Sequence, residues 1–164
     1  MMTLFVKRLS RLTSLVAVFL LFASSVLFAE TQQEHVHQMA HDVMPFDLTM
    51  TVHIFRMTES GGVERVIVKD PGATDQIALI QQHLKHEAGR FQHGDYGDPA
   101  RLHGADMPGL KELKAGASDI KVSYKALPSG AEIVFETTDI HLLTVIHRWF
   151  GAQLSEHGAD ARAE

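Results

Sequence analysis

The sequence predicts an α+β domain in which a duplicated ββα unit builds a four-stranded antiparallel sheet with two main helices on one face. Three observations carry this expectation. Two stretches, near 46–69 and 120–137, alternate apolar and polar residues with period two and are each broken by a turn, the pattern of a β-hairpin. Each is followed by a run with apolar residues at helical spacing. The two halves also share their spacing: eight residues separate Asp75 from His83 and Asp139 from His147, and eighteen separate Asp75 from His93 and Asp139 from His157. Each closing histidine is followed by glycine, in "FQHG" and "LSEHG".

Residues 1–29 stand apart from the fold. Lys7, Arg8 and Arg11 precede the apolar run "LTSLVAVFLLFASSVLFA", with Leu27 and Ala29 before the expected cleavage point. A basic segment, an apolar segment and a small residue at its end are the marks of a secretory signal peptide. The protein is therefore expected in the periplasm or secreted, touching a membrane only through an uncleaved signal sequence. Without that segment, 12 Lys and Arg face 20 Asp and Glu, a net charge of −8, which disfavours nucleic acid as a partner. The chain has no cysteine. Disulfides, thiolate metal sites, a cysteine nucleophile and covalent haem attachment are thereby excluded.

Residues 30–45, "ETQQEHVHQMAHDVMP", read as a flexible polar segment with a His/Met tract. One domain is expected over 46–157. From Phe46 to Ile54, Phe46, Leu48, Met50, Val52 and Ile54 alternate with polar residues, His53 among them, as a half-buried strand. "TESGG" turns the chain and "VERVIVKD" returns. Asp75 or Thr74 caps a helix over 75–92 whose buried stripe is Ile77, Ile80, Leu84, Ala88 and Phe91. The segment 95–117 joins the halves, about 46–94 and 118–157. Its stretch "HGDYGDPARLHGADMPG" is dense in Gly, Asp and Pro, so it must run over the surface, and its length marks it as structured. A short helix is expected at 107–116. "IKVSYKAL" and "AEIVFETT" form the second hairpin. Asp139 or Thr138 caps the last helix, with Leu143, Ile146, Phe150 and Leu154 as its stripe. Residues 158–164 read as a polar tail.

All 11 histidines lie beyond the signal segment. Imidazole is both the commonest metal ligand and a general base near neutral pH. His147 lies in the apolar stripe of the last helix, and His83 is its repeat partner. Helices packed on one sheet would bring the two to a shared seam, where they could hold copper, zinc or haem iron. His103 and Asp106 of the connecting segment are the nearest candidates for further ligands. His93 and His157 read instead as C-terminal helix caps. The expected function is thus a periplasmic domain that binds a small ligand, a transition metal or haem through histidines. Two alternatives stay open: an enzyme with His147 as general base and Asp106 as its partner, and a structural or interaction module whose histidines only cap and satisfy. No P-loop, dinucleotide-binding, Gly-x-Ser-x-Gly or His-Glu-x-x-His motif occurs.

The blocks "FQHGDYGDPARLHGADMPGLKEL" and "HRWFGAQLSEHG" resemble a family of small exported bacterial proteins commonly labelled aspartate carbamoyltransferase. The resemblance implies export and that label, but the residues do not support transcarbamoylation. Transcarbamoylases resemble one another in a Ser-Thr-Arg-Thr phosphate loop and a His-Pro-Thr-Gln stretch. This chain has neither, nor an arginine cluster suited to two anionic substrates.

Overall fold

The computed structural model describes residues 34–164. The expected signal peptide, 1–29, lies outside the described residues. Among the described residues the fold is α+β, with five α-helices and one five-stranded mixed sheet.

Both expected hairpins form. Strand β1 (Thr51–Thr58) pairs antiparallel with β2 (Gly61–Val68), and β3 (Lys121–Leu127) with β4 (Gly130–Glu136). The hairpins join through β2 and β4, antiparallel, with Gly61 opposite Glu136 and Gly130 opposite Ile67. Only glycine permits this approach. A Cβ on Gly61 would lie 2.0 Å from the Phe135 carbonyl oxygen, and one on Gly130 would lie 2.0 Å from that of Val66.

The sheet departs from the expected four antiparallel strands by one. Residues 158–164 are not a plain tail. Gly158, at φ 53°, opens a 3₁₀ turn (Gly158–Asp160), and Ala161–Ala163 (β5) then lies parallel to His53–Phe55 of β1. The Glu164 amide donates to the Phe55 carbonyl at 3.1 Å, and its carboxylate meets Arg65 at 3.1 Å. A three-residue strand is too short to show a period. The final sheet order is β3-β4-β2-β1-β5.

One face of the sheet carries the core. Register places His53 opposite Val66, Phe55 opposite Glu64, and Glu64 opposite Ile133, so these side chains share a face. Helix α2 (Thr74–Gln92) brings Phe91 to Phe135, and α5 (Ile140–His157) brings Trp149 and Phe150 to the same ring. Both long helices therefore pack on this face. Arg65, Glu132 and Lys125 form an ion-pair ladder on the other face.

Four local details differ from the expectation. The first strand begins at Thr51, because Asp47 accepts from the Thr49 amide at 2.8 Å and winds Leu48–Met50 into a 3₁₀ turn. That turn shifts the phase of the strand beyond it, so Thr51, His53 and Phe55 point to the helices while Phe46 and Leu48 remain buried ahead of it. Residues 34–43 of the expected flexible segment are helical (α1), and Val36, Ala40 and Met44, four apart, are buried. The connecting segment folds as α3 (Gly97–His103) and α4 (Leu110–Ala115). Of the two expected capping pairs, Asp139 does cap α5, accepting from the His141 and Leu142 amides. Helix α2 instead starts after Ala73, with no side-chain cap.

Candidate functional site

The regular elements converge on one small cavity. The period of two in β1 turns His53 inward beside Phe55, and β2 supplies Glu64. On α2, His83, Leu84 and Glu87 fall on one face at helical spacing. On α5, Trp149, Gln153 and His157 succeed one another at intervals of four. Helix α3 closes the space with Asp98, Pro99, Leu102 and His103. The cavity measures about 50 Å³.

Arg90 ties the closing helix down. Its guanidinium lies 3.1 Å from Glu87, 2.9 Å from Asp95 and 2.5 Å from Asp98. Asp95 also accepts from the Gly97 amide at 2.9 Å, which sets the first turn of α3. At the far end of α3, His103 Nδ1 lies 2.8 Å from Glu156 Oε2 on α5. The glycine-rich connection is thus a wall of the cavity, latched at both ends.

Four imidazoles pack around this space. The ring centres of His53 and His157 are 4.8 Å apart and nearly parallel, and those of His103 and His157 are 5.0 Å apart. His83 sits edge-on to Phe46. Burial, with neighbouring His83 and His103, pushes the His53 pKa down to about 3. Burial brings His83 down to about 4. His157 falls well below the ordinary histidine value, through burial and then through His53 and His103. The carboxyls move the other way. Burial, reinforced by Glu87, pushes Glu64 up to about 8. Glu87 rises to about 7 through burial and the nearby Asp98, in spite of Arg90. Around neutral pH these three imidazoles are therefore uncharged, and the two carboxyls titrate close to neutrality.

Three buried polar atoms of the lining residues have no hydrogen-bond partner: His53 Nδ1, Trp149 Nε1 and Gln153 Oε1. Leaving such atoms unpaired costs about 1–3 kcal/mol each, a cost that water or a small polar group in the cavity would relieve.

Of the histidines and acid expected from sequence, the structure brings His83 and His103 to the cavity and places His147 and Asp106 elsewhere. His147 Nε2 lies 3.0 Å from the Thr58 carbonyl and 2.8 Å from the Gly61 carbonyl, so its N–H holds the β1–β2 turn and offers no lone pair there. That nitrogen is committed to the turn, and His147 is not among the residues that line the cavity. Asp106 is exposed and paired with Lys111. The spacing of the two halves suggested equivalent histidines, but the fold uses them differently: His83 lines the cavity while His147 anchors a turn. His93 is exposed and bonds the Gly89 carbonyl at 2.8 Å, whereas His157 is buried in the cavity. Sequence reasoning missed His53, Glu64, Glu87, Gln153 and His157. The step of four from Trp149 to Gln153 to His157 was a usable signal.

His147→Ala should cost about 1–3 kcal/mol, because two turn carbonyls lose their donor, and should leave ligand binding unchanged. Urea unfolding beside a binding titration checks both parts. Loss of binding in a variant of unaltered stability would overturn the structural role.

Among the described residues, no group of three or more His, Asp or Glu side chains could hold a metal ion, and no helix is long and apolar enough to cross a membrane. No protein-family model, curated protein or solved structure matches the chain.

Proposed function

We propose that this is an exported binding protein whose small histidine-lined cavity takes one ligand of a few heavy atoms, or one metal ion. The observation that carries this reading is the convergence of four imidazoles, the buried Glu87 and the partly buried Glu64, with three unpartnered polar atoms, on a cavity of about 50 Å³. An apolar cavity of about 150 Å³ holds a benzene. A third of that volume suits an ion with water or a very small polar molecule. Haem is too large for it, as are carbamoyl phosphate and aspartate together, so the transcarbamoylase label has no support in this cavity. Export rests on the sequence of residues 1–29. The equivalent placement of Gly61 and Gly130, each against the other hairpin's backbone, supports descent from a duplicated ββα unit whose histidines later diverged.

The test is a thermal-shift panel of Zn²⁺, Cu²⁺, methylammonium, formate and urea on the wild type and on His157→Phe, which fills the cavity. At least one probe should raise the melting temperature of the wild type on the order of 10 °C at one hundred times its Kd, and none should do so in the variant. No shift in the wild type, or equal shifts in both proteins, overturns the reading.

One observation favours a second reading, catalysis at the same cavity. Carboxyls raised to about 7 and 8 beside uncharged imidazoles are poised for proton transfer, which would make Glu87 or Glu64 the general acid–base in place of His147 and Asp106.

A further inference from the structure

The unpartnered polar atoms of the cavity residues are of both kinds. The Trp149 Nε1–H can only donate, and Gln153 Oε1 can only accept. His53 Nδ1 does either, according to which ring nitrogen carries the proton. Trp149 and Gln153 stand four residues apart on α5, about 6 Å along its axis, and His53 enters from β1. One occupant that pairs all of them must itself carry both a donor and an acceptor.

Charge narrows the choice. Glu64, Glu87 and Asp98 line the cavity, and no lysine or arginine does. Arg90 is already occupied by Glu87, Asp95 and Asp98. An anion would therefore meet carboxyls and no free cation. An organic cation carries only donors, so it would leave the Trp149 N–H unpaired. It would also call for an ionised Glu64, where burial holds that carboxyl protonated at neutral pH. A neutral amide meets neither objection. It brings no charge into the cavity, and it joins N–H donors to a carbonyl acceptor within a few heavy atoms, as the volume of about 50 Å³ requires.

We propose that the cavity binds one small neutral amide, with Trp149 Nε1 donating to its carbonyl and Gln153 Oε1 and His53 Nδ1 accepting from its N–H groups. The assignment rests on the cavity being a ligand site and names the chemical class of its ligand.

Formamide, formate and formamidinium test this, because they share one flat shape and size and differ in charge. The chain has one tryptophan, so its indole N–H gives a single signal in a proton–nitrogen correlation spectrum. Titrating untagged protein near neutral pH, formamide should move that signal downfield saturably and raise the melting temperature. Formate and formamidinium should bind more weakly by on the order of 10-fold or more. Gln153→Met, which keeps the bulk of the side chain and removes the acceptor, should weaken formamide by a similar factor while the circular dichroism stays that of the wild type. Trp149→Phe, which removes the donor, should do the same when binding is read from the melting temperature. If formate or formamidinium binds as tightly as formamide, or if only Zn²⁺, Cu²⁺ or methylammonium raises the melting temperature, the amide assignment falls and the cavity reading stands. If nothing binds, both fall. Formamide binding that leaves the indole signal in place, or that survives Gln153→Met unchanged, overturns the assignment.

Discussion

Trp149→Ala should destabilise the protein by about 3–5 kcal/mol, a large share of the 5–15 kcal/mol that holds a domain of this size together. The indole is fully buried where every layer meets. Its ring centre lies 5.9 Å from Phe91 of α2, 5.5 Å from Phe135 of β4, 5.6 Å from Phe150 of α5 and 5.8 Å from Tyr96 at the start of α3. Alanine would remove the common partner of these four rings and leave a void that stiff neighbours cannot fill. Trp149→Phe keeps most of the packing and discards an indole N–H that has no partner, so it should cost much less. Urea unfolding followed by circular dichroism checks both, since the substitution removes the chain's one tryptophan fluorophore. A cost below about 1.5 kcal/mol for the alanine variant would show that the four rings close without the indole.

The second large effect is a stability optimum near pH 6 in the ligand-free protein, with losses on both sides. On the acid side, His53, His83 and His157 have folded pKa values below the ordinary 6.5. The unfolded chain takes up protons that the folded one refuses, so their contribution is complete above about 6.5 and is lost as pH falls toward 4 and 3. Glu64 and Glu87 act in the opposite sense. Their folded values, about 8 and 7, lie above the ordinary 4.5. Their contribution is complete below 4.5 and declines as pH rises through 7 and 8. Between 4.5 and 6.5 three histidines oppose two carboxyls, which leaves a net slope of about 1.4 kcal/mol per pH unit favouring higher pH. Above 6.5 the histidine contribution ends and the carboxyls alone reverse the slope. Melting temperatures from pH 4.5 to 9 in wild type and Glu64→Gln test this. The alkaline loss should be shallower in the variant. A wild type whose stability rises steadily from pH 6 to 9 would mean that the two carboxyls are ionised in the fold.

Local order was readable along the chain wherever one period ran uninterrupted. The helix over 74–92 announced itself through Ile80, Leu84, Ala88 and Phe91, and the two hairpins through alternation and their glycine turns. Asp139 was recognisable as a cap because a short carboxylate before a helical run accepts the free amides of the first turn. Reading failed where one residue changed the phase. Asp47 winds a 3₁₀ turn, and His53, assigned to the polar side of a strand, is carried to the core. The helix at 34–43 was obscured because its apolar stripe, Val36, Ala40 and Met44, is thin and set among His and Gln.

The sequence by itself determined the class of fold, the positions of the long helices and hairpins, and the composition that excludes thiolate chemistry and disfavours nucleic acid. Those properties depend on residues near one another in the chain, whose periodicity and turn chemistry act locally. Only the tertiary structure decided which histidines meet. His53, His103 and His157 come from β1, α3 and α5, each separated from the next by fifty residues or more, and the packing of α3 under its Arg90 and Glu156 latches brings them to one cavity. The same packing turned His147, the histidine most prominent in the sequence, to the carbonyls of a turn. A helical stripe states that a side chain faces inward, and what it meets there depends on the elements packed against it.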